Sequence, residues 1–502
     1  MMLRRVGFLS LLSLLALLPA ALGPASAGPV VFKKLTVVSG PTPFKPGCEG
    51  APQTGTLYPN AEVEPWVAVN PGDPRHIVGV WQQDRYSNGG ARGLLAAVSF
   101  NGGKNWQISM APFSRCSGGS PQNGGDYERA SDPWVTFAPN GDVYQIAIAF
   151  NDSNPINAVL VSKSTDGGKT WGNPVTLIRD TAPTVFNDKE SITADPNDAR
   201  FVYAVWDRLV FPAEEARGRA PERAIGFRGP AWFARTTDGG QTWEAPRVIF
   251  DPGEVNQTIS NQIVVRARAK GGELINLFDL IYNAKNAQGV RGFNIAVIRS
   301  TDKGETWSQP IIVSKQVLFD GVRDPDTGTP VRTGDIVPDI AVDPNSGNLY
   351  VVWQDQRFSP AGAHHIAFSM STDGGLTWTP PIRVDKTPLN VHAFTASVHV
   401  AADGTVGVSY YDFRRHTSAS SILETDYWFV HCHPGTGDCT NPENWAETHI
   451  AGPFDMRGAP FAGGYFVGDY EGLASAGDVF LPFFVQVNTG NPSNRTDVFA
   501  AD

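Results

Sequence analysis

The chain has 502 residues with 50 acidic and 40 basic side chains, a formal net charge of −10. Losing Arg4 and Arg5 with an export signal takes that to −12, which argues against a general nucleic-acid or anionic-membrane partner. Gly 52, Pro 39 and 11% aromatic residues suit short strands and turns, and nothing favours helices.

Residues 1–27 read as that signal. Arg4 and Arg5 precede an apolar run from Val6 to Leu22, and Ala25-Ser-Ala27 gives an A-x-A cleavage site before Gly28. The run is too short for a comfortable membrane span, and no later stretch approaches about 18 uninterrupted apolar residues. Residues 28–502 are expected to form one exported domain, secreted or extracytoplasmic. Its four cysteines are an even number for such a compartment. Cys432 and Cys439 bracket a short loop, and pairing them leaves Cys48 for Cys116. A metal site is the alternative, but no C-x-x-C spacing occurs.

The mature chain then repeats one strand pattern. Each unit opens with a short apolar strand: EPWVAVNP from Glu64, DPWVTFAP from Asp132, ESITADP from Glu190 and NQIVVRA from Asn261, then PDIAVDP from Pro338, ASVHVAADG from Ala396 and EGLASAGD from Glu471. Second strands, such as FVYAVWDR from Phe201 and LYVVWQDQR from Leu349, are continuously apolar, as strands covered on both faces should be. Third strands run into a turn that recurs as STDGGKTW at Ser164, TTDGGQTW at Thr236, STDKGETW at Ser300 and STDGGLTW at Ser371, with a worn copy, SFNGGKNW, at Ser99. The five tryptophans, Trp106 to Trp378, lie 65, 72, 64 and 71 residues apart, and Trp445 follows after 67.

A period this long marks a repeat architecture of about seven units. In the turn, glycines supply positive φ, Asp and Ser/Thr bond the turn's own amides, and Trp buries a large ring beside it. The last unit ends after its third strand, and Val30 to Ser39 has no unit of its own. That segment is expected to add the missing outer strand and close the ring. The expected fold is an all-β propeller of seven four-stranded antiparallel blades, with six blades and a decorated remainder as the alternative.

The pattern S-x-D-x-G-x-T-W resembles the Asp-box (BNR) repeat of the sialidase-like β-propellers. The resemblance implies that the box lies on the turn between the third and fourth strands of a blade and does no catalysis. Sialidases of this kind look six-bladed as a class, whereas seven-bladed Asp-box propellers include xyloglucan-cleaving enzymes and photosystem assembly factors. The R-I-P segment that opens the sialidase arginine clamp is absent, so no catalytic residue carries over by motif.

Topology alone supplies candidates. With the boxes on one face, the other face gathers the entries of the innermost strands and the exits of the second strands around the channel mouth. The exits carry Asp84-Arg85, Asp152, Asp207-Arg208, Asp279, Asp355 with Arg357, and Asp412 with Arg414 and Arg415. An Asp and an Arg repeated in every blade read first as ion pairs and loop caps. The entries lie near Glu64, Arg129, Asp132, Asp188, Lys189, Glu190, Asp335, Asp339, His392, Asp469, Tyr470 and Glu471. Glycosidases need a proton donor with a nucleophile or base, and sialidase-like sites use a Tyr assisted by a Glu. Asp132, Glu190, Tyr470 and Glu471 are therefore the candidate catalytic residues. Arg85, Arg129, Arg208, Arg357 and Arg414 are the candidate grips for an anionic sugar.

The expected function is a secreted, sialidase-like glycoside hydrolase, acting on a carbohydrate or glycoconjugate as a monomer. A non-catalytic glycan- or protein-binding propeller is one alternative. Another is a polysaccharide lyase, in which His392, Tyr410 and Tyr411 matter more. No cofactor is expected: calcium at Asp195-Pro-Asn-Asp198 or Asp343-Pro-Asn-Ser346 is less natural than a plain turn, and His364-His365 reads as loop. The charged insertion Phe211 to Pro230 is expected to overhang the mouth as a lid or flap.

Overall fold

The computed structural model describes residues 30–212, 228–267, 272–283 and 291–502. The signal segment and most of the 211–230 insertion lie outside the described residues. The fold is all-β, built from antiparallel four-stranded sheets. Their first strands are Leu57–Asn70, Arg129–Phe137, Val185–Ala194, Asn256–Arg266, Asp339–Val342, Ala393–Val400 and Gly472–Ala476. In each sheet the strands follow in chain order, and the first two sheets are joined through one pair, Ala91 with Ala130. The last sheet differs. Its outer strand is Leu35–Val37 from the start of the described chain, with Leu35 opposite Ala501 and Val37 opposite Phe499. The first strands also lie against one another in order, and the strand Gly472–Ala476 lies against Leu57–Asn70.

Second strands such as Glu273–Tyr282 and Leu349–Asp355 are buried throughout, which explains their unbroken apolar runs. The four repeated turns share one bonding scheme. In the copy at Ser164, the Ser164 hydroxyl donates to Asp166 at 2.8 Å and accepts from the Gly168 amide at 2.8 Å. Asp166 also accepts from the Thr170 hydroxyl at 2.6 Å and the Thr170 amide at 3.0 Å. Gly168 sits at φ 94°, and a Cβ there would meet Val78 of the preceding sheet at 2.8 Å. The turn is latched to that sheet by Trp171 Nε1 donating to Ser109 Oγ at 3.0 Å and by Ser109 Oγ donating to the Gly168 carbonyl at 2.6 Å. These turns fasten one sheet to the next.

A second recurrent feature is absent from the sequence pattern. Five first strands break register at the same place, between Val63 and Trp66, Ser131 and Trp134, Asp188 and Ser191, Ile259 and Gln262, and Phe394 and Ser397. At each bulge one residue takes positive φ: Glu64 at 54°, Asp132 at 54°, Lys189 at 47°, Ser260 at 63° and Thr395 at 49°. Positive φ is costly for side chains of this kind, and bulges re-aim the residues they carry. Disulfides join Cys48 to Cys116 and Cys432 to Cys439, as expected from the sequence. Among the described residues no helix is long and apolar enough to cross a membrane.

Candidate active site

Three of the bulged strands, those of Asp132, Lys189 and Ile259, border a cavity of about 360 Å³. Asp132, Asp188 and Lys189 come to it from bulged strands, and Asp335 and Asp469 from the entries to later sheets. Its roof is made of two loops that the repeat pattern does not contain, around residues 321–337 and 462–469. They are stitched together by a short parallel ladder, with Val331 opposite Tyr465 and Arg332 opposite Phe466. Arg457 adds a clamp, donating to Asp324 at 2.7 Å and 3.0 Å and to Asp326 at 2.7 Å.

The carboxyl groups of this region are driven in opposite directions. Burial and the neighbouring Asp469 raise Asp335, although His364 pulls the other way. Burial also opposes ionisation of Asp469, but the Arg332 guanidinium outweighs it and holds that carboxyl below its ordinary value. Arg332 Nε lies 3.0 Å from Asp469 Oδ1 and 3.1 Å from Oδ2. Behind them, burial, Asp132 and Asp469 push Glu64 far up, and it accepts from Gln82. His364 has a fixed tautomer: Nδ1 accepts from Gln354 at 3.2 Å, so Nε2 donates to the Asp320 carbonyl at 2.7 Å. Two carboxyl groups in one cavity, one raised and one lowered, can divide acid and base roles.

Of the residues singled out from sequence, Asp132 lines the cavity. Tyr470 and Glu190 line a smaller void beneath it, with Lys189 shared between the two. There Trp66 and Trp134, from E-P-W and D-P-W, stack at 3.4 Å, and the Tyr470 ring lies 5.4 Å from Trp134. The Tyr470 hydroxyl donates to the Pro133 carbonyl at 3.3 Å, and Lys189 Nζ lies 3.2 Å from the Tyr470 ring centre. Glu471 is buried elsewhere, accepting from the Val485 amide at 3.0 Å.

Arg85 is buried near the cluster, donating to Gln82 at 2.7 Å and lying 5.1 Å over Phe466. The other arginines brace the scaffold. Arg129 lies 3.8 Å over Tyr86 and pairs with Asp152 at 3.1 Å. Arg208 grips Asp180, Arg357 grips Asp355, and Arg414 grips Asp412 and Glu447. Among the repeated aspartates, Asp207 accepts from the Ser260 amide at 2.7 Å and so pins the bulge of the next sheet. The Asp-Pro-Asn turns close on their own amides and also tie to the next sheet: Asp195 accepts from the Asn197 amide at 2.9 Å and pairs with Lys303 at 3.3 Å, and Asp343 accepts from the Asn345 amide at 2.7 Å while Asn345 Nδ2 donates to the Ala402 carbonyl at 2.6 Å. The cavity cations Arg323 and Arg332 sit in the roof loops, where no repeat pointed to them.

No family profile matches the chain. A sialidase from Micromonospora viridifaciens is 29% identical over 191 residues, which is 35% of this chain and 28% of that protein. The chain thus aligns with less than a third of this relative's length. Among solved structures, a protein of unknown function from Dyadobacter fermentans has a TM-score of 0.48 at 12% identity, covering 94% of this chain and 98% of that one. The Hadza microbial sialidase Hz136 gives 0.44 at 16% identity, over 70% and 64% of the two chains. An α-L-arabinanase from Penicillium chrysogenum gives 0.43 at 13%, over 75% and 95%.

Proposed function

We propose that this protein is an exported glycoside hydrolase of the sialidase-like Asp-box kind, on a closed propeller of seven blades, with its active site in the cavity under the roof loops. The observation that carries the reading is the pairing of Asp335, whose carboxyl burial raises, with Asp469, which Arg332 holds below the ordinary value, in a cavity large enough for a sugar ring. Asp335 is the proton donor. Asp469 is the ionised partner, and the strained bulge aims Asp132 at the sugar. The aligned segment of the Micromonospora sialidase, the repeated turns and the cyclic packing of the first strands support the family and the ring. The disulfides and the leading apolar segment support export, and the monomeric state is part of the same proposal.

The test is turnover of the mature chain against fluorogenic glycosides, a sialoside among them, and uronate polymers, with Asp335→Asn and Asp469→Asn variants beside it. Turnover lost in variants that keep the wild-type melting temperature supports the assignment. Turnover unaffected by both overturns the site. Ultraviolet-absorbing unsaturated products would make the protein a lyase. Saturable glycan binding with no product would make it a binding propeller.

A further inference from the structure

Among the described residues Phe319 is the most exposed large apolar side chain, at 77%. A single exposed ring is ordinary on a protein surface. This one is distinguished by how it is held and where it stands. The Phe319 amide donates to the side-chain carbonyl of Gln356, and Gln356 Nε2 donates onward to Asp320 Oδ1 at 2.9 Å and to the Gly362 carbonyl at 2.6 Å. His364 Nε2 fixes the next carbonyl, that of Asp320, at 2.7 Å. Gln356 and His364 are both buried, so two core side chains pin the backbone that presents an apolar ring to water. Two residues on, Gly321 lines the cavity, which puts Phe319 within about 7 Å of it along the chain.

Polar groups of fixed character lie beside the ring. His392 Nδ1 accepts from the His364 amide at 3.1 Å, so in the neutral imidazole the proton is on Nε2. Burial, and then His364, bring His392 down to about 4 against the pull of the neighbouring Asp320, which keeps the ring neutral at pH 7. Its Nε2–H is thus a donor at the lip, and the exposed Asp320 carboxyl offers acceptors. His364 joins this group to the cavity, since it neighbours Asp335 as well as His392 and Asp320. A sugar ring has a face of C–H groups and an edge of hydroxyls. An aromatic ring takes the face, and a neutral N–H and a carboxyl oxygen take the hydroxyls.

We propose that Phe319, Asp320 and His392 form an outer sugar subsite on the lip of the cavity, holding one residue of a glycan chain while its neighbour occupies the cavity. The substrate class is then an oligo- or polysaccharide rather than a small glycoside. The proposal rests on the reading of the cavity as a glycan site. A pinned loop suits this role, because the ring is displayed before the sugar arrives and little conformational freedom is lost on binding.

Affinity electrophoresis of the full mature chain, in gels with graded arabinan, xyloglucan or polygalacturonate, reads binding without turnover. Beside it, kcat/KM is measured on a fluorogenic monoglycoside that the protein cleaves and on the oligosaccharide of the same sugar. The expected result is retardation by at least one glycan, weakened about tenfold in Phe319→Ala, restored in Phe319→Trp and weakened less in His392→Ala. The preference for oligosaccharide over monoglycoside should fall with it. Phe319→Ala should keep the wild-type melting temperature, because the ring it removes is exposed. Retardation equal in wild type and Phe319→Ala would overturn the subsite, as would no retardation in any gel. Retardation lost in Phe319→Ala, from a protein that cleaves no glycoside, would support the subsite and overturn the hydrolase reading alone. Cleavage with the same oligosaccharide preference in wild type and Phe319→Ala would overturn the subsite and leave the hydrolase reading standing.

Discussion

The four aspartates of the repeated turns should be worth stability and nothing else. Burial pulls Asp166 upward, yet the Thr170 hydroxyl and amide and the Ser164 hydroxyl bring it to about 2. Asp238, bonded first by Thr242, Asp302 and Asp373 are likewise lowered to about 2. From an ordinary 3.8, such a shift is about 2.4 kcal/mol before screening. Asp166 is solvent-exposed, so about 1 kcal/mol is the reasonable expectation for Asp166→Ala. The four sites lie on different sheets and should add, giving about 4 kcal/mol for the quadruple variant. For a chain of this length 1 kcal/mol lowers the melting temperature by roughly 1 °C. The sign follows from the depressed values. The contribution is full above pH about 4 and disappears as pH falls through about 2, so wild type and quadruple variant should converge in acid. Denaturant unfolding from pH 7 to pH 2, with glycoside turnover measured alongside, checks this. A single variant that lost turnover without losing stability would refute the structural reading, as would a stability gap that did not close in acid.

Other perturbations test other joints. Replacing Cys48 and Cys116 by alanine opens a crosslink spanning 68 residues and should cost about 4 kcal/mol, more than removing Cys432 and Cys439, which span 7; equal losses in chemical denaturation would contradict the loop argument. Trp134→Ala removes a buried ring stacked on Trp66 and should destabilise by about 3–5 kcal/mol, read in the same assay. Arg457→Ala leaves Asp324 buried without its guanidinium and should cost about 3 kcal/mol, most of it recovered by adding Asp324→Asn. Failure of the double variant to recover would show that the clamp between the roof loops is not electrostatic.

The scaffold was legible because it repeats. Trp106 to Trp378 return at a steady interval, the second strands are unbroken apolar runs, and the orphan segment near Leu35 found its strand beside Thr496–Ala501. The site was legible only in part. Topology named Asp132, Asp335 and Asp469 as strand entries, but a bulge is a change of register with no composition of its own. Its one trace is Pro65 after Glu64 and Pro133 after Asp132, beside residues of positive φ. The repeated arginines could not be divided by sequence into braces and ligands, because Arg208 and Arg357 have the same spacing from an Asp whichever role they serve. Only their partners, Asp180 and Asp355, distinguish the two. Arg332 and the roof loops were missed because they belong to no repeat, and Tyr465 meets Val331 across 134 residues of chain.

The most direct measurement is the pH profile of kcat/KM on a glycoside that the protein turns over, for wild type and Asp335→Asn. Asp469 held below the ordinary carboxylate value and Asp335 raised above it predict a bell, with the acid limb from the first and the basic limb from the second. Asp335→Asn should lower the rate by at least about 100-fold and remove the basic limb. A variant with undiminished rate and an unchanged bell would contradict the account of this cavity as the active site.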